Sequence, residues 1–255
     1  MTQIDLNCDM GEMPEAVADG RQEQLMRYIT SANIACGGHA GDAEAMRLTI
    51  EQACRNGVAV GAHPGYEDRT SFGRSDLQLS SSEIAASVER QILALDAIAT
   101  KCGAPVVHVK AHGALYNQAA RSAEIARAIA QGVSRWRKDV VLVGLAGSLM
   151  LDEFRAAGFA VASEAFADRR YEKNGSLRSR RLSDALLTDP EEAAAQALQV
   201  VQKGSVIAAD GTSISLRADT LCIHSDTPGA LEIAAHVRRR LEQAGITISP
   251  LKSAR

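Results

Sequence analysis

Short β-branched runs alternate with longer stretches of helical period along the whole chain, and this alternation restricts the fold more than any other feature. The strand candidates are 3–9, 31–36, 58–63, 105–111, 140–145, 159–164 and 219–224, with a weaker one at 246–248. The helical stretches between them carry start and stop signals. Ser80 and Glu83 have capping-box spacing, and Ile84, Val88, Ile92, Leu95 and Ile98 then form one apolar face before Gly103 and Pro105 end the helix. Asp189 followed by Pro190 opens another helix that closes near Gly204, and Pro228 opens the one whose face is Ile233, Val237 and Leu241. Gly57 and Gly245 stand just past helix ends, where a left-handed residue is needed.

Strands separated by helices imply a parallel sheet. Seven or eight such units favour closure, so the expected fold is α/β, an irregular seven- or eight-stranded β/α barrel spanning 1–255 as one hydrolase domain. An open doubly wound sheet is the alternative. The irregular stretch at 165–188 reads as a lid or surface excursion. The formal net charge of −3 argues against a nucleic-acid-coating surface. No apolar run approaches the ~18 residues of a membrane span, and the first residues lack the basic flank of a signal peptide. The five cysteines are scattered without a Cys-x-x-Cys pair, so a reducing cytoplasm is the expected location.

The chemistry gathers at the ends of the expected strands. Side chains two apart on a strand share a face. Asp5, Asn7 and Asp9 therefore point one way, with Ile4, Leu6 and Cys8 opposite; His108, Lys110 and His112 likewise share a face. Asn33 lies in the second strand and His39 follows it, His63 ends the third, Glu164 the sixth and His224 the seventh, with Asp226 just beyond. A half-exposed antiparallel strand would also explain a polar face, but parallel sheets are covered on both sides. In a barrel these groups converge at the mouth where barrel enzymes place their active sites. No G-x-x-x-x-G-K-[ST] phosphate loop and no dinucleotide fingerprint occurs in the chain.

Six blocks now carry a resemblance: DLNCDMGE at 5–12, SANIACGGHAGD at 31–42, GAHPGYEDRTSFGR at 61–74, VKAHGALYN at 109–117, EAFADRRY at 164–171 and CIHSDTP at 222–228. In this order they resemble the LamB/YcsF family, the A component of the prokaryotic 5-oxoprolinase. Gly38, Ala111 and Ser225 depart from its usual Phe, Pro and Gly. The resemblance implies a barrel similar to the glycoside hydrolase/deacetylase type. It also implies ATP-driven opening of 5-oxo-L-proline to L-glutamate in a complex with subunits B and C, with no nucleic-acid or membrane partner.

Opening a lactam needs an activated water, a stabilised oxyanion and a protonated leaving nitrogen. The expected catalytic residues are Asp9 as general base beside His63, His39 and His112 as acid or oxyanion donors, and Lys110 for developing negative charge. Asn7 and Asn33 would orient substrate, Arg69 and Arg74 would clamp a carboxylate, and Tyr116, Asn117, Glu164, His224 and Asp226 would edge the pocket. Asp9, His39, His63 and His112 form an alternative divalent-metal set. ATP is expected at least partly on the partner subunits. Two rival readings are a stand-alone metal-dependent deacetylase or amidase, and a non-catalytic substrate-binding component.

Overall fold

In a parallel sheet, residues paired in register face the same side, so the order of strands decides which side chains meet. The computed structural model describes residues 2–251. Seven parallel strands close on themselves: β1 (Gln3–Met10), β2 (Ser31–Ala35), β3 (Ala59–His63), β4 (Val106–Lys110), β5 (Val141–Leu145), β6 (Ala160–Phe166) and, after an antiparallel hairpin of β7 (Ser205–Ile207) and β8 (Ser213–Ser215), β9 (Thr220–Cys222). Thr220 of β9 pairs with Glu164 of β6 on one side and Asp5 of β1 on the other, which closes the barrel. An eighth strand, β10 (Thr247–Ile248), adds in parallel to the start of β1. The barrel expectation holds and the open sheet does not.

The helices are α1 (Pro14–Ala18), α2 (Arg21–Met26), α3 (Ala43–Arg55), α4 (Ser81–Lys101), α5 (Gly113–Ala119), α6 (Ala123–Trp136), α7 (Leu149–Ala156), α8 (Pro190–Lys203) and α9 (Ala230–Gln243). The expected capping box at Ser80 and Glu83 forms, and Asp189 caps α8 through Glu191 and Glu192. Helix α9 begins two residues later than Pro228 suggests, because left-handed Gly229 (φ 76°) occupies its N-cap. Helices α1 and α2 are single turns, too short for an apolar period to register. The three-residue strands of the β7–β8 hairpin are likewise too short to show a period, and the Asp210-Gly211 turn dipeptide between them is their sequence signal.

The outward face of β1, Ile4, Leu6, Cys8 and Met10, is buried in the apolar layer under the helices. That layer includes Ile84, Val88, Ile92 and Leu95 of α4 and Ile129 and Val133 of α6. Ile98, expected on the same face of α4, is only partly buried at its edge. The barrel interior is unusual in being polar. Barrel interiors are commonly filled by branched apolar residues, yet here Asp5, Asn7, Asp9, Asn33, His108, Lys110 and Glu164 are all buried. A small apolar cluster of Val141, Val143 and Ala162 lies in register with His108 and Lys110, and Ala160 and Leu251 pack against it.

Such an interior leaves little room. The His108 ring lies so close to Gly61 that a Cβ there would meet ring atoms at 2.0–2.3 Å. Gly61→Ala is therefore expected to cost about 2–3 kcal/mol by overpacking, a fall in Tm of roughly 5–10 °C for a chain of this size. Adding His108→Ala to the same chain vacates the space and should recover part of that loss. Thermal unfolding by circular dichroism checks both; a Gly61→Ala transition within about 2 °C of the parent would contradict the packing argument.

Candidate active site

An ion cluster forms the floor of the site. Lys110 Nζ, on a side chain 3% exposed, lies 2.8 Å from Glu164 Oε1 and 3.0 Å from Asp9 Oδ1. It also donates to Asn7 Oδ1 at 3.3 Å and approaches Cys222 Sγ at 3.2 Å. Asn33 Nδ2 donates to Asn7 Oδ1 (2.7 Å) and Asp9 Oδ1 (2.8 Å), while Asn7 Nδ2 donates to Glu164 Oε1 (3.0 Å) and Thr220 Oγ1 (2.6 Å). Beneath them Asp5 accepts from Thr30, Ser31 and Thr220. Burial pushes the Asp9 carboxyl up, but His63 and Lys110 outweigh it and hold the group well below its ordinary value. Burial likewise works against the Lys110 charge, and Asp9, Cys222 and Glu164 overcome it, so Lys110 stays protonated. Burial, helped by Lys110 and His63, drops His108 to about 3 against a weaker pull from Asp9. Its Nε2 hydrogen-bonds Asn33 Oδ1 at 2.8 Å as a neutral ring.

Above the floor, four side chains meet at the mouth. Glu12, just past the left-handed Gly11 (φ 73°), reaches back over the barrel. Its Oε1 lies 2.9 Å from His39 Nε2, 3.0 Å from His112 Nδ1 and 3.7 Å from His63 Nε2. His63 Nε2 is 3.0 Å from His112 Nδ1 and 3.4 Å from Asp9 Oδ2. His39 and His112 stack in parallel at 3.6 Å. Burial lowers His39 to about 4 against the pull of Glu12, and its Nδ1 is buried without a partner among the described residues. Burial also lowers His63, but the Asp9 charge wins and raises it. The Phe72 carbonyl that engages His112 Nε2 at 2.9 Å is presented by a left-handed residue (φ 54°), a conformation costing a non-glycine residue roughly 1–2 kcal/mol. Backbone strain of that kind commonly marks functional sites.

The floor and mouth open into a cavity of about 1130 Å3 lined by Asp9, Glu12, His63, Lys110, His112 and His224, with Arg74, Arg169, Arg178 and Arg180 along its walls. His224 Nδ1 is held 2.9 Å from Asp168 Oδ1 and its ring stacks on Phe166. Arg74 and Arg180 share Asp226, which ties the 167–189 excursion to the loop after β3. Arg169 is 6% exposed, and no carboxylate among the described residues pairs with it.

The structure brings Asp9, His39, His63, Lys110 and His112 together as expected, and Tyr116, Asn117, Arg74 and His224 line the cavity with Asp9. Asn7, Asn33 and Glu164 sit beneath it and fix Asp9 and Lys110 rather than edging the cavity. Asp226 holds the two wall arginines. Arg69 departs from its expected clamp role: its guanidinium donates to the carbonyls of Gly37 and Gly41 and so holds the loop carrying His39. The side chains that could hold a metal are Glu12, His39, His63 and His112, with Glu12 standing where the sequence suggested Asp9. Asp9 instead falls in a second group with Cys222 and His224. Glu12 escaped the strand-face reading because Gly11 turns the chain and breaks the two-residue period. Arg169 and Asp168 escaped it because they lie past the end of β6 (Ala160–Phe166) in irregular chain.

Comparison with known proteins bears on the family and the fold. The LamB/YcsF family profile matches residues 4–255. The chain is 52% identical over 248 residues to the A component of 5-oxoprolinase from Chloroflexus aggregans, covering 97% of this chain and 98% of that one. It is 49% identical over 245 residues to the corresponding protein of Bordetella pertussis, covering 96% and 97%. The crystal structure of the Lactam Utilization Protein from Thermus thermophilus superposes with a TM-score of 0.90 at 44% identity, over 98% of this chain and 100% of that one.

The neutral, buried His108 sets a pH dependence of stability. Its pKa is lower in the folded chain than in the unfolded one, so its contribution is complete above about pH 6.5 and is lost as pH falls toward about 3. The loss over that window is on the order of a few kcal/mol. His108→Gln keeps a donor for Asn33 but cannot titrate, so its urea-unfolding free energy should fall less steeply between pH 6.5 and 4. Parallel curves for the two proteins would remove His108 as the cause.

Proposed function

The chain belongs to the LamB/YcsF family, and from that premise we propose that it is the A component of an ATP-dependent 5-oxoprolinase, opening 5-oxo-L-proline to L-glutamate. The observation that carries the reading is the Asp9–Lys110 pair at the floor of the cavity. Water attack on a lactam carbonyl needs a base on one side and a cation for the oxyanion on the other. Asp9 is ionised throughout the physiological range. Lys110 and Asn33 share its Oδ1, while its Oδ2 faces His63. Oδ2 accepts the proton of water, Lys110 steadies the oxygen as charge develops on it, and Asp9, whose carboxyl is held well below its ordinary value, returns that proton to the leaving nitrogen. The names of the relatives, which specify 5-oxoprolinase and lactam utilization, support the substrate class.

ATP coupling is assigned to the assembly. The chain has no P-loop, and the relatives are named as one component of a multi-subunit enzyme; we assign the remaining parts to subunits B and C. The cavity exceeds the roughly 300–1,000 Å3 of ordinary small-molecule sites, so a five-membered lactam occupies only part of it. The wall of Arg74, Arg169, Arg178 and Arg180 suits a phosphorylated lactam or nucleotide phosphates presented by a partner.

The test is 5-oxoproline-dependent release of phosphate and glutamate by the chain with and without co-expressed partner subunits. The complex should turn over and the isolated chain should not. Asp9→Asn, nearly isosteric, should lower turnover of the complex by ~10²-fold or more while the protein stays folded. Turnover within a few-fold of the parent would end the role of Asp9. ATP-independent lactam opening by the chain alone would replace the reading with that of a stand-alone amidase.

A further inference from the structure

A backbone carbonyl can only accept a hydrogen bond, and two such carbonyls fix the histidines of the mouth. The Lys110 carbonyl lies 2.8 Å from His63 Nδ1, and the Phe72 carbonyl 2.9 Å from His112 Nε2. Each of those nitrogens must therefore carry a hydrogen. The nitrogens left over, His63 Nε2 and His112 Nδ1, carry lone pairs when the rings are neutral, and they face each other across 3.0 Å. Glu12 Oε1, a third acceptor, lies 3.0 Å from His112 Nδ1 and 3.7 Å from His63 Nε2. The same oxygen lies 2.9 Å from His39 Nε2. Lone pairs converging in a buried space repel one another unless a cation sits among them.

We infer that Glu12, His39, His63 and His112 form a binding site for one divalent transition-metal ion. The four ligand atoms lie within 4.8 Å of one another and all four residues are buried. Three imidazoles and a carboxylate suit zinc and its neighbours in the first transition row. A carbonyl on the far ring nitrogen is what orients a metal-binding histidine and fixes its tautomer, and His63 and His112 both have one. The separations of 2.9–3.7 Å between these atoms and Glu12 Oε1 bracket the ~3.3 Å edge of a tetrahedron with metal–nitrogen bonds of about 2.0–2.1 Å.

The cluster is also rigid before anything binds. His63 ends strand β3 and His112 caps helix α5. Gly65 and Gly73 press on His39 so closely that an added Cβ would come within 2.8 Å of its Nδ1 and 2.7 Å of its Cβ. Arg69 ties down the loop from which His39 projects. Ligands held this way lose little freedom on binding, the condition for a preorganised site. An ion there would lie beside Asp9, where it could polarise a carbonyl or acidify a water. The site rests on the cluster's own geometry and stands whether or not the substrate is a lactam.

The full-length chain, stripped with a chelator and dialysed, is titrated with zinc by calorimetry at about pH 7.5, and cobalt loading is followed by its visible absorption. One ion per chain should bind with a Kd below about 1 µM, and affinity should weaken toward about pH 5.5 as the imidazoles take up protons. His63→Ala and Glu12→Gln should each weaken binding by at least ~10-fold, whereas His236→Ala, on helix α9, should leave it unchanged. Because ligand variants can unsettle a fold, the parent chain carries the test by itself. Fewer than about 0.2 ions per chain at about 100 µM free zinc would overturn the site and leave a proton shared by His63 and His112 as the cation. Undiminished binding by a folded His63→Ala, His112→Ala double variant would overturn it equally.

Discussion

The interior of this barrel depends on one buried ammonium group. Lys110 is almost wholly removed from water, a transfer that costs several kcal/mol even after relaxation. It is tolerated because Asp9 and Glu164 flank the charge at 3.0 and 2.8 Å. Those carboxylates need partners in turn, and Asn7 and Asn33 provide them. Each requirement passes to the next strand, so β1, β2, β4, β6 and β9 are joined inside by side chains as well as outside by their ladders. Removing one member leaves an uncompensated charge in a medium where that typically costs about 3–5 kcal/mol. A barrel filled with leucine and valine would have no such chain of obligations and no chemistry to offer.

The floor and the mouth divide the work between them. The floor holds charges in fixed states, with Asp9 ionised, Lys110 protonated and His108 neutral. At the mouth, Glu12 and three histidines place four proton- or cation-binding atoms together. Asp9 belongs to both, since one of its oxygens meets Lys110 and the other faces His63. The 167–189 excursion then walls the cavity, internally braced by Arg178 with Glu172 and Asp184 and anchored to the mouth through Asp226. Rigid groups on strand ends under a loop-built wall are the arrangement by which barrels host varied chemistries.

Much of this was legible in the sequence, and the reasons are physical. The two-residue period of a strand placed Asp5, Asn7 and Asp9 on one face and His108 and Lys110 on another, and both faces proved to be the interior. Capping residues located α4 and α8 because a cap is a local hydrogen bond, readable without tertiary context. Glu12 was not legible because a single left-handed glycine broke the period. The partner of Arg69 is not legible because only tertiary contacts distinguish a carbonyl partner from a carboxylate one, and the carbonyls of Gly37 and Gly41 lie 32 and 28 residues away along the chain. Asn7, Asn33 and Glu164 look like pocket residues by type, yet closure of the barrel puts them below the pocket, where they set the charge states of the groups that line it.

We propose that the buried Lys110 charge serves the reaction and is not merely a structural ion pair. It is tested by substituting Lys110→Met together with Glu164→Gln, which removes a buried cation and a buried anion at once, so the net charge of the floor is unchanged and Asp9 keeps His63 as its neighbour. The quantities to measure are unfolding free energy and 5-oxoproline-dependent turnover of the assembled complex. The expected result is a folded protein whose stability changes modestly, within about 2 kcal/mol, and whose turnover falls by ~10²-fold or more. Turnover within a few-fold of the parent, accompanied by a large loss of stability, would contradict it and make Lys110 a structural residue.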